Sequence, residues 1–115
     1  NIKKQIFNKY TELFKNHSDK FAIQYIEPNT THSYWMFGIK FINGYASYNV
    51  IEKYFLDKNI EIRPFFYNYR NHPYLNDIKS LSNKNFDNQI ILLPVHCYLK
   101  DEDIQHIIDS VINYQ

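Results

Sequence analysis

The chain has 115 residues, thirteen of them basic and twelve acidic, with the two signs interspersed and a formal net charge of +1. That length suits one compact domain with a single core, and the apolar and charged fractions, 44% and 22%, exclude disorder, collagen-like repeats and coiled coils. A near-neutral, unclustered charge excludes the long-range field that draws in nucleic acid or an anionic membrane. The single cysteine, Cys97, cannot close an intrachain disulfide and points to a reducing, cytoplasmic setting. No apolar run approaches the roughly 18 residues needed to span a bilayer. Asn1-Ile2-Lys3-Lys4-Gln5 has no signal-peptide layout and already shows helical spacing, so the sequence reads as though it opens inside a longer polypeptide.

Residues 1 to 17 place Ile2, Ile6, Tyr10, Leu13 and Phe14 at three- and four-residue intervals, which predicts an amphipathic helix. After a polar break and the turn-prone Glu27-Pro28-Asn29-Thr30-Thr31, the segment Ser33 to Phe41 alternates, with Trp35, Phe37, Ile39 and Phe41 on one face of a half-buried strand. Ser47 can cap a helix over 48 to 58 whose face carries Val50, Ile51, Tyr54 and Phe55, and Asn59 can adopt the left-handed conformation that ends it. Ile60 to Arg63 reads as a strand stopped by Pro64, and Phe65 to Leu75 as an aromatic, irregular loop suited to a binding site. Asp77 to Ser82 predicts one or two helical turns. Ile90 to Leu93 is a short apolar run of the kind a central strand presents. Asp101, Glu102 and Asp103 then open a helix whose Ile104, Ile107, Ile108, Val111 and Ile112 share a face. Helices and strands mixed in one short chain predict a two-layer α/β sandwich, a small, mostly antiparallel sheet covered by helices.

Motifs searched without reference to any family yield little. His96 and Cys97 are adjacent, and nothing completes a zinc site around them; Cys97 reads as a small buried residue and His96 as part of a loop. The acidic triplet at 101 to 103 is accounted for by the helix dipole. Arg63 and Arg70 with neighbouring aromatics could stack on bases, yet the basic residues form no stripe. With two glycines, Gly38 and Gly44, neither a nucleophile elbow nor a phosphate-cradling loop is available.

Three segments together say more. His32-Ser33-Tyr34-Trp35-Met36-Phe37-Gly38-Ile39, then Ile60-Glu61-Ile62-Arg63-Pro64-Phe65-Phe66-Tyr67, then Leu93-Pro94-Val95-His96 leading to Leu99-Lys100-Asp101-Glu102-Asp103-Ile104, resemble in order the "H-x-Y/F-W-M-Y", "G-I-E-T-R-P-F-F-Y-P-x-H" and "L-P-x-x-x-x-L-T-D-E-D-V" segments of the DegT/StrS sugar aminotransferases. The GDP-perosamine synthase branch is the most similar. The resemblance covers residues 1 to 115 and implies a single domain, the C-terminal small domain of a fold type I enzyme, with residues 1 to 17 as the connector helix and the large domain absent.

The resemblance further implies a homodimeric enzyme dependent on pyridoxal 5'-phosphate (PLP). It would move an amino group from glutamate to a nucleotide-linked keto-sugar, typically a 4-keto-6-deoxyhexose. The lysine that holds PLP as a Schiff base lies in the large domain of such enzymes, so this chain alone is expected to be inactive and to bind no cofactor. What it would supply is the loop after the second segment: Arg63, Tyr67 and Arg70 are the expected substrate-binding residues, since a guanidinium forks onto phosphate or carboxylate and a tyrosine offers a sugar both a face and a hydroxyl. Arg63 could instead pair with Glu61, and Phe65 and Phe66 suit packing. Asn68-Tyr69-Arg70 stands where the family has Pro-x-His, Tyr48 where it has Arg, Asn59 where it has Gly and Ile62 where it has Thr. A non-catalytic binding or dimerisation module derived from such a domain is the competing reading.

Overall fold

The computed structural model describes residues 1–67, 73–75 and 86–114. The first helix, α1, runs Ile2–Phe14 and tightens into a 3-10 turn at Lys15–His17. Strands β1 (Phe21–Ile23) and β2 (Phe37–Phe41) follow, then α2 (Tyr48–Leu56), β3 (Arg63–Pro64), a 3-10 turn at Pro73–Leu75, β4 (Ile90–Leu93) and α3 (Asp101–Ile112). The four strands form one sheet in the order β1-β2-β4-β3, every neighbouring pair antiparallel. This is the expected two-layer α/β sandwich, with β4 inside the sheet as its apolar run implied.

The core lies between one face of the sheet and the three helices. Phe37, Ile39 and Phe41 of β2, with Ile91 and Leu93 of β4, meet Ile6, Phe7, Tyr10 and Phe14 of α1, Ile51 and Phe55 of α2, and the isoleucines of α3. Alternation along β2 explains the selection, since Gly38 and Lys40 point to the other face and are only half-buried. The stripe on α1 is shifted from its expected position: Phe7 is buried, while Ile2 and Leu13 are exposed. On α2, Val50 likewise faces solvent. Among the described residues no buried side-chain polar atom lacks a partner. The Tyr10 hydroxyl donates to the Pro94 carbonyl at 2.8 Å and that of Tyr54 to the Ser110 carbonyl at 2.8 Å, so each phenol that enters the apolar layer is satisfied there.

Helix boundaries follow local chemistry. Asn59 takes φ 60 and ends the α2 region, as its type allows. Ser47 occupies the N-cap of α2 in extended conformation but makes no side-chain capping bond. At α3 the Asp103 carboxylate accepts from the Lys100 backbone N–H at 2.8 Å, and Asp101 pairs with Lys9 of α1. The acidic triplet is thus spent on capping and on tying α3 to α1. Gly44 turns the chain out of β2 with φ 70, and a Cβ there would sit 2.9 Å from the Asn88 carbonyl oxygen. Only glycine serves.

Three expectations are corrected. The strand expected over 33–41 begins at Phe37, because Tyr34 adopts φ 55, a left-handed conformation that breaks the extended run. Trp35 therefore leaves the buried face and is exposed. The strand expected at 60–63 is Arg63–Pro64, with Pro64 paired to Ile91; β3 is an edge strand, where a missing N–H costs no ladder bond. β1 was not expected at all, being three residues long with only Phe21 buried. The helical turns expected at 77–82 lie outside the described residues.

Candidate functional site

Two concavities flank β3. The larger, about 610 Å³, opens at the end of the sheet where β2 and β3 begin and β4 finishes, and Arg63, Trp35 and His96 line it together with Lys3 of α1. The smaller, about 250 Å³, is aromatic: Tyr45, Tyr48, Phe65, Phe66, Tyr67 and Phe86 contribute. Arg63 and Tyr67 therefore line different cavities. Arg63 stands opposite Leu92 in the sheet, and Pro64, which lines the smaller cavity, opposite Ile91. Strand alternation sends these neighbours to opposite sides, and the loop leaves from the proline side. Arg70 lies outside the described residues.

Arg63 is exposed and, among the described residues, makes no ion pair with Glu61. Its guanidinium is available to a ligand or a partner chain. Tyr67 and Phe66 are also exposed, so Phe66 is not core, while Phe65 is half-buried with its ring edge-on to Phe66 at 5.6 Å.

The walls of the aromatic cavity are pinned from behind. The Tyr45 hydroxyl donates to the Ile90 carbonyl at 3.0 Å, and the Tyr48 hydroxyl to the Ile62 carbonyl at 3.3 Å. Tyr48 thus ties the start of α2 to the residue that leads into β3, a structural use for the position at which the resembling family carries arginine. Burial, with Glu52 nearby, pushes the Tyr48 phenol up to about 12. Burial first, then the Asp87 carboxylate, raises that of Tyr45. Both phenols keep their protons at neutral pH, holding these bonds while leaving oxygen lone pairs free to accept from a ligand.

The larger cavity owes its shape to a clasp that sequence reading missed. His32 Nδ1 accepts the Tyr34 backbone N–H at 2.8 Å, and the imidazole forms a three-ring cluster with Phe7 and Tyr34, at 5.2 and 4.8 Å, while those two rings meet each other at 5.3 Å. The bond fixes the turn that puts Tyr34 in its left-handed conformation, and the next residue, Trp35, is delivered to the cavity wall. The H-x-Y-W spacing was visible in the sequence; the sign of one φ angle was not.

PLP requires a lysine, a carboxylate facing its ring nitrogen and a cup of donors for its phosphate. Neither cavity combines these. The aromatic cavity has no lysine, and the larger one, though it has Lys3, Glu61 and an Asp103 carboxylate already bound to its own helix cap, has no hydroxyl side chain in its lining to cup the phosphate. The described residues do not fit the cofactor. Nor, among them, could any group of three or more His, Cys, Asp or Glu residues hold a metal ion. Cys97, expected to be buried, is exposed in the turn after β4, where the chain has left the sheet. No helix among the described residues is long and apolar enough to cross a membrane.

A four-stranded antiparallel sheet with the helices packed on one face makes this a small two-layer α/β domain. The chain belongs to the DegT/DnrJ/EryC1/StrS aminotransferase family, which matches it over residues 1–112. Its fold is similar to that of the aminotransferase TlmJ from Streptoalloteichus hindustanus, with TM-score 0.77 and 15% identity over 96% of this chain and 30% of that one. It is also similar to the sugar aminotransferase CalS13 from Micromonospora echinospora, with TM-score 0.76 and 13% identity over 95% and 29%. A third match is a candidate sugar aminotransferase, Spr1654 from Streptococcus pneumoniae, in its PMP form, with TM-score 0.67 and 17% identity over 95% and 29%. This chain spans about 30% of the length of these solved structures. No curated protein sequence matches it.

Proposed function

We propose that this chain is the C-terminal small domain of a PLP-dependent sugar aminotransferase on the perosamine synthase side of the family, acting in the cytoplasm as a homodimer. The substrate would be a 4-keto-6-deoxy sugar nucleotide and the amino donor glutamate. The observation that carries the reading is the family match over residues 1–112, supported by the convergence of Trp35, Arg63 and Leu93, one from each of the three resembling segments, on the larger cavity. PLP supplies the electron sink for amino transfer, and the remainder of the polypeptide would hold it, since the described residues here do not.

In this reading the chain contributes substrate contacts. Arg63, unpaired among the described residues, suits a phosphate or carboxylate oxygen pair. Tyr67 lies against an aromatic cavity whose volume, about 250 Å³, suits a hexose ring. Arg70, the third proposed contact, replaces a neutral imidazole with a permanent cation and would favour a more anionic substrate.

The test is made on the full polypeptide. It should show the absorbance of protein-bound PLP and convert a 4-keto-6-deoxy sugar nucleotide with glutamate, and the 115-residue chain alone should do neither. Arg63→Ala and Tyr67→Ala should each raise KM for the sugar nucleotide about tenfold or more, the loss expected for a charge-assisted or stacking contact. A full polypeptide that binds no PLP, or variants with unchanged KM, would remove the reading.

A further inference from the structure

His32 is held in one tautomer by its two partners. Nδ1 accepts the Tyr34 backbone N–H at 2.8 Å, so the ring proton of the neutral imidazole sits on Nε2, which faces Gln24 Oε1 at 3.3 Å. A backbone N–H can only donate, and an imidazole that gains a second proton carries it on Nδ1 and has no acceptor left. The bond that shapes this turn therefore exists only while His32 is neutral.

What the bond holds is a conformation that tyrosine does not choose. Tyr34 stands at φ 55, where a bulky L residue stays only if its surroundings impose it. Those surroundings are the His32 acceptor and the ring cluster with buried Phe7. A charged imidazole still packs on aromatic faces, so the rings tolerate either charge state; the acceptor does not. The ionisable groups on the elements around the imidazole are Lys3 and Lys4, one turn before Phe7 on α1, Tyr25 and Glu27 on the segment after β1, and Tyr34 itself. Among the described residues no carboxylate forms an ion pair with His32, so an added charge there meets no fixed counter-ion. Trp35 follows directly, exposed on the wall of the larger cavity, and the angle at Tyr34 sets where its indole points.

We propose that His32 is a proton-operated clasp: uptake of a solvent proton at Nδ1 breaks the bond to the Tyr34 N–H, frees Tyr34 to return to an extended conformation, and moves Trp35 from its place on the cavity wall. The Nε2 proton keeps its position toward Gln24, and loss of the Nδ1 proton restores the turn. Histidine changes charge between about pH 5 and 8, so the larger cavity has two shapes within that range. Every part of the device lies within residues 7–35, which makes it independent of the proposed function.

The only tryptophan of the 115-residue chain reads the clasp directly. Between about pH 8 and pH 5 the emission maximum of Trp35 should shift, its quenching by acrylamide should change at least about twofold, and the Tyr34 amide proton resonance should titrate with the same midpoint. Far-ultraviolet circular dichroism should stay constant; a loss of helix over the same range means that the whole domain responds, and overturns the proposal. Two substitutions lock the clasp in its two states. His32→Asn puts Oδ1 where Nδ1 stood, an acceptor for the N–H two residues on that does not titrate, so Trp35 should keep its neutral-pH signal throughout. His32→Phe keeps a ring against Phe7 without an acceptor, and should show the acid signal throughout. His96 lines the same cavity and is the competing source of a Trp35 titration. A transition that persists in His32→Asn and disappears in His96→Gln overturns the proposal, as does a Trp35 signal of the unaltered chain that is flat across the range.

Discussion

Around α1, Phe7, Tyr10 and Phe14 meet Phe21 and Phe37 ring to ring at 4.8–6.4 Å and leave almost nothing to solvent. At the two cavities Trp35, Phe66 and Tyr67 expose 60–67% of their surfaces. The residue types are the same and the outcomes opposite, so hydrophobicity alone does not sort them. Where backbone spacing repeats, as at Phe37, Ile39 and Phe41, side chains converge on one layer and bury. Where a left-handed residue or a proline breaks the repeat, at Tyr34 or Pro64, the aromatics that follow are turned outward. The first arrangement stabilises the domain, and the second leaves apolar surface for something else to cover.

Substitutions on the two sides should separate this way. Phe55→Ala removes a fully buried ring and is expected to cost about 3–5 kcal/mol, read as a lower urea midpoint with unchanged slope. Against a typical stability of about 5–15 kcal/mol that is a large share. Tyr10→Phe keeps the ring and leaves the Pro94 carbonyl without its donor; about 1–2 kcal/mol should be lost, measurable by the same titration.

Phenols inside the core and at its edges also make the domain alkali-sensitive. Burial raises the pKa of Tyr10 and Tyr54, and pushes Tyr48 up to about 12, from an ordinary value of 10.0. With the folded pKa above the unfolded one, the folded state holds its protons more tightly. The stabilisation is complete below pH 10, falls as pH rises past 10, and for Tyr48 is gone once pH passes about 12. Urea midpoints at pH 9 and 11.5 should therefore differ, and Tyr10→Phe should reduce the difference. Trp35→Ala, on the exposed side, is expected to change the stability of the 115-residue chain by less than about 0.5 kcal/mol. A large loss there would erase the contrast between the two sides.

Much of the packed side was legible in the sequence because its periods are local. Ile104, Ile107, Ile108 and Val111 of α3 are buried as spaced, with Ile112 partly buried, Asn59 ends the α2 region as its type permits, and Ile90 to Leu93 is the inner strand its apolar run implied. β1 was illegible because three residues with a single buried side chain carry no period. On the site side, the family resemblance offered Arg63, Tyr67 and Arg70 as substrate contacts, but not that Arg63 and Tyr67 line separate cavities, which follows from the pairing of Arg63 with Leu92 and Pro64 with Ile91 across strands far apart in the chain.

Sequence by itself determined the class of fold and, through three ordered motifs, the family, because both are written in residue identity and spacing along the chain. Only the tertiary structure decided where Trp35 goes. Its position depends on one backbone angle at Tyr34, which a histidine two residues earlier and a phenylalanine from α1 hold against its intrinsic preference. The Phe7 contact joins α1 to this turn, parts of the chain that no local pattern connects.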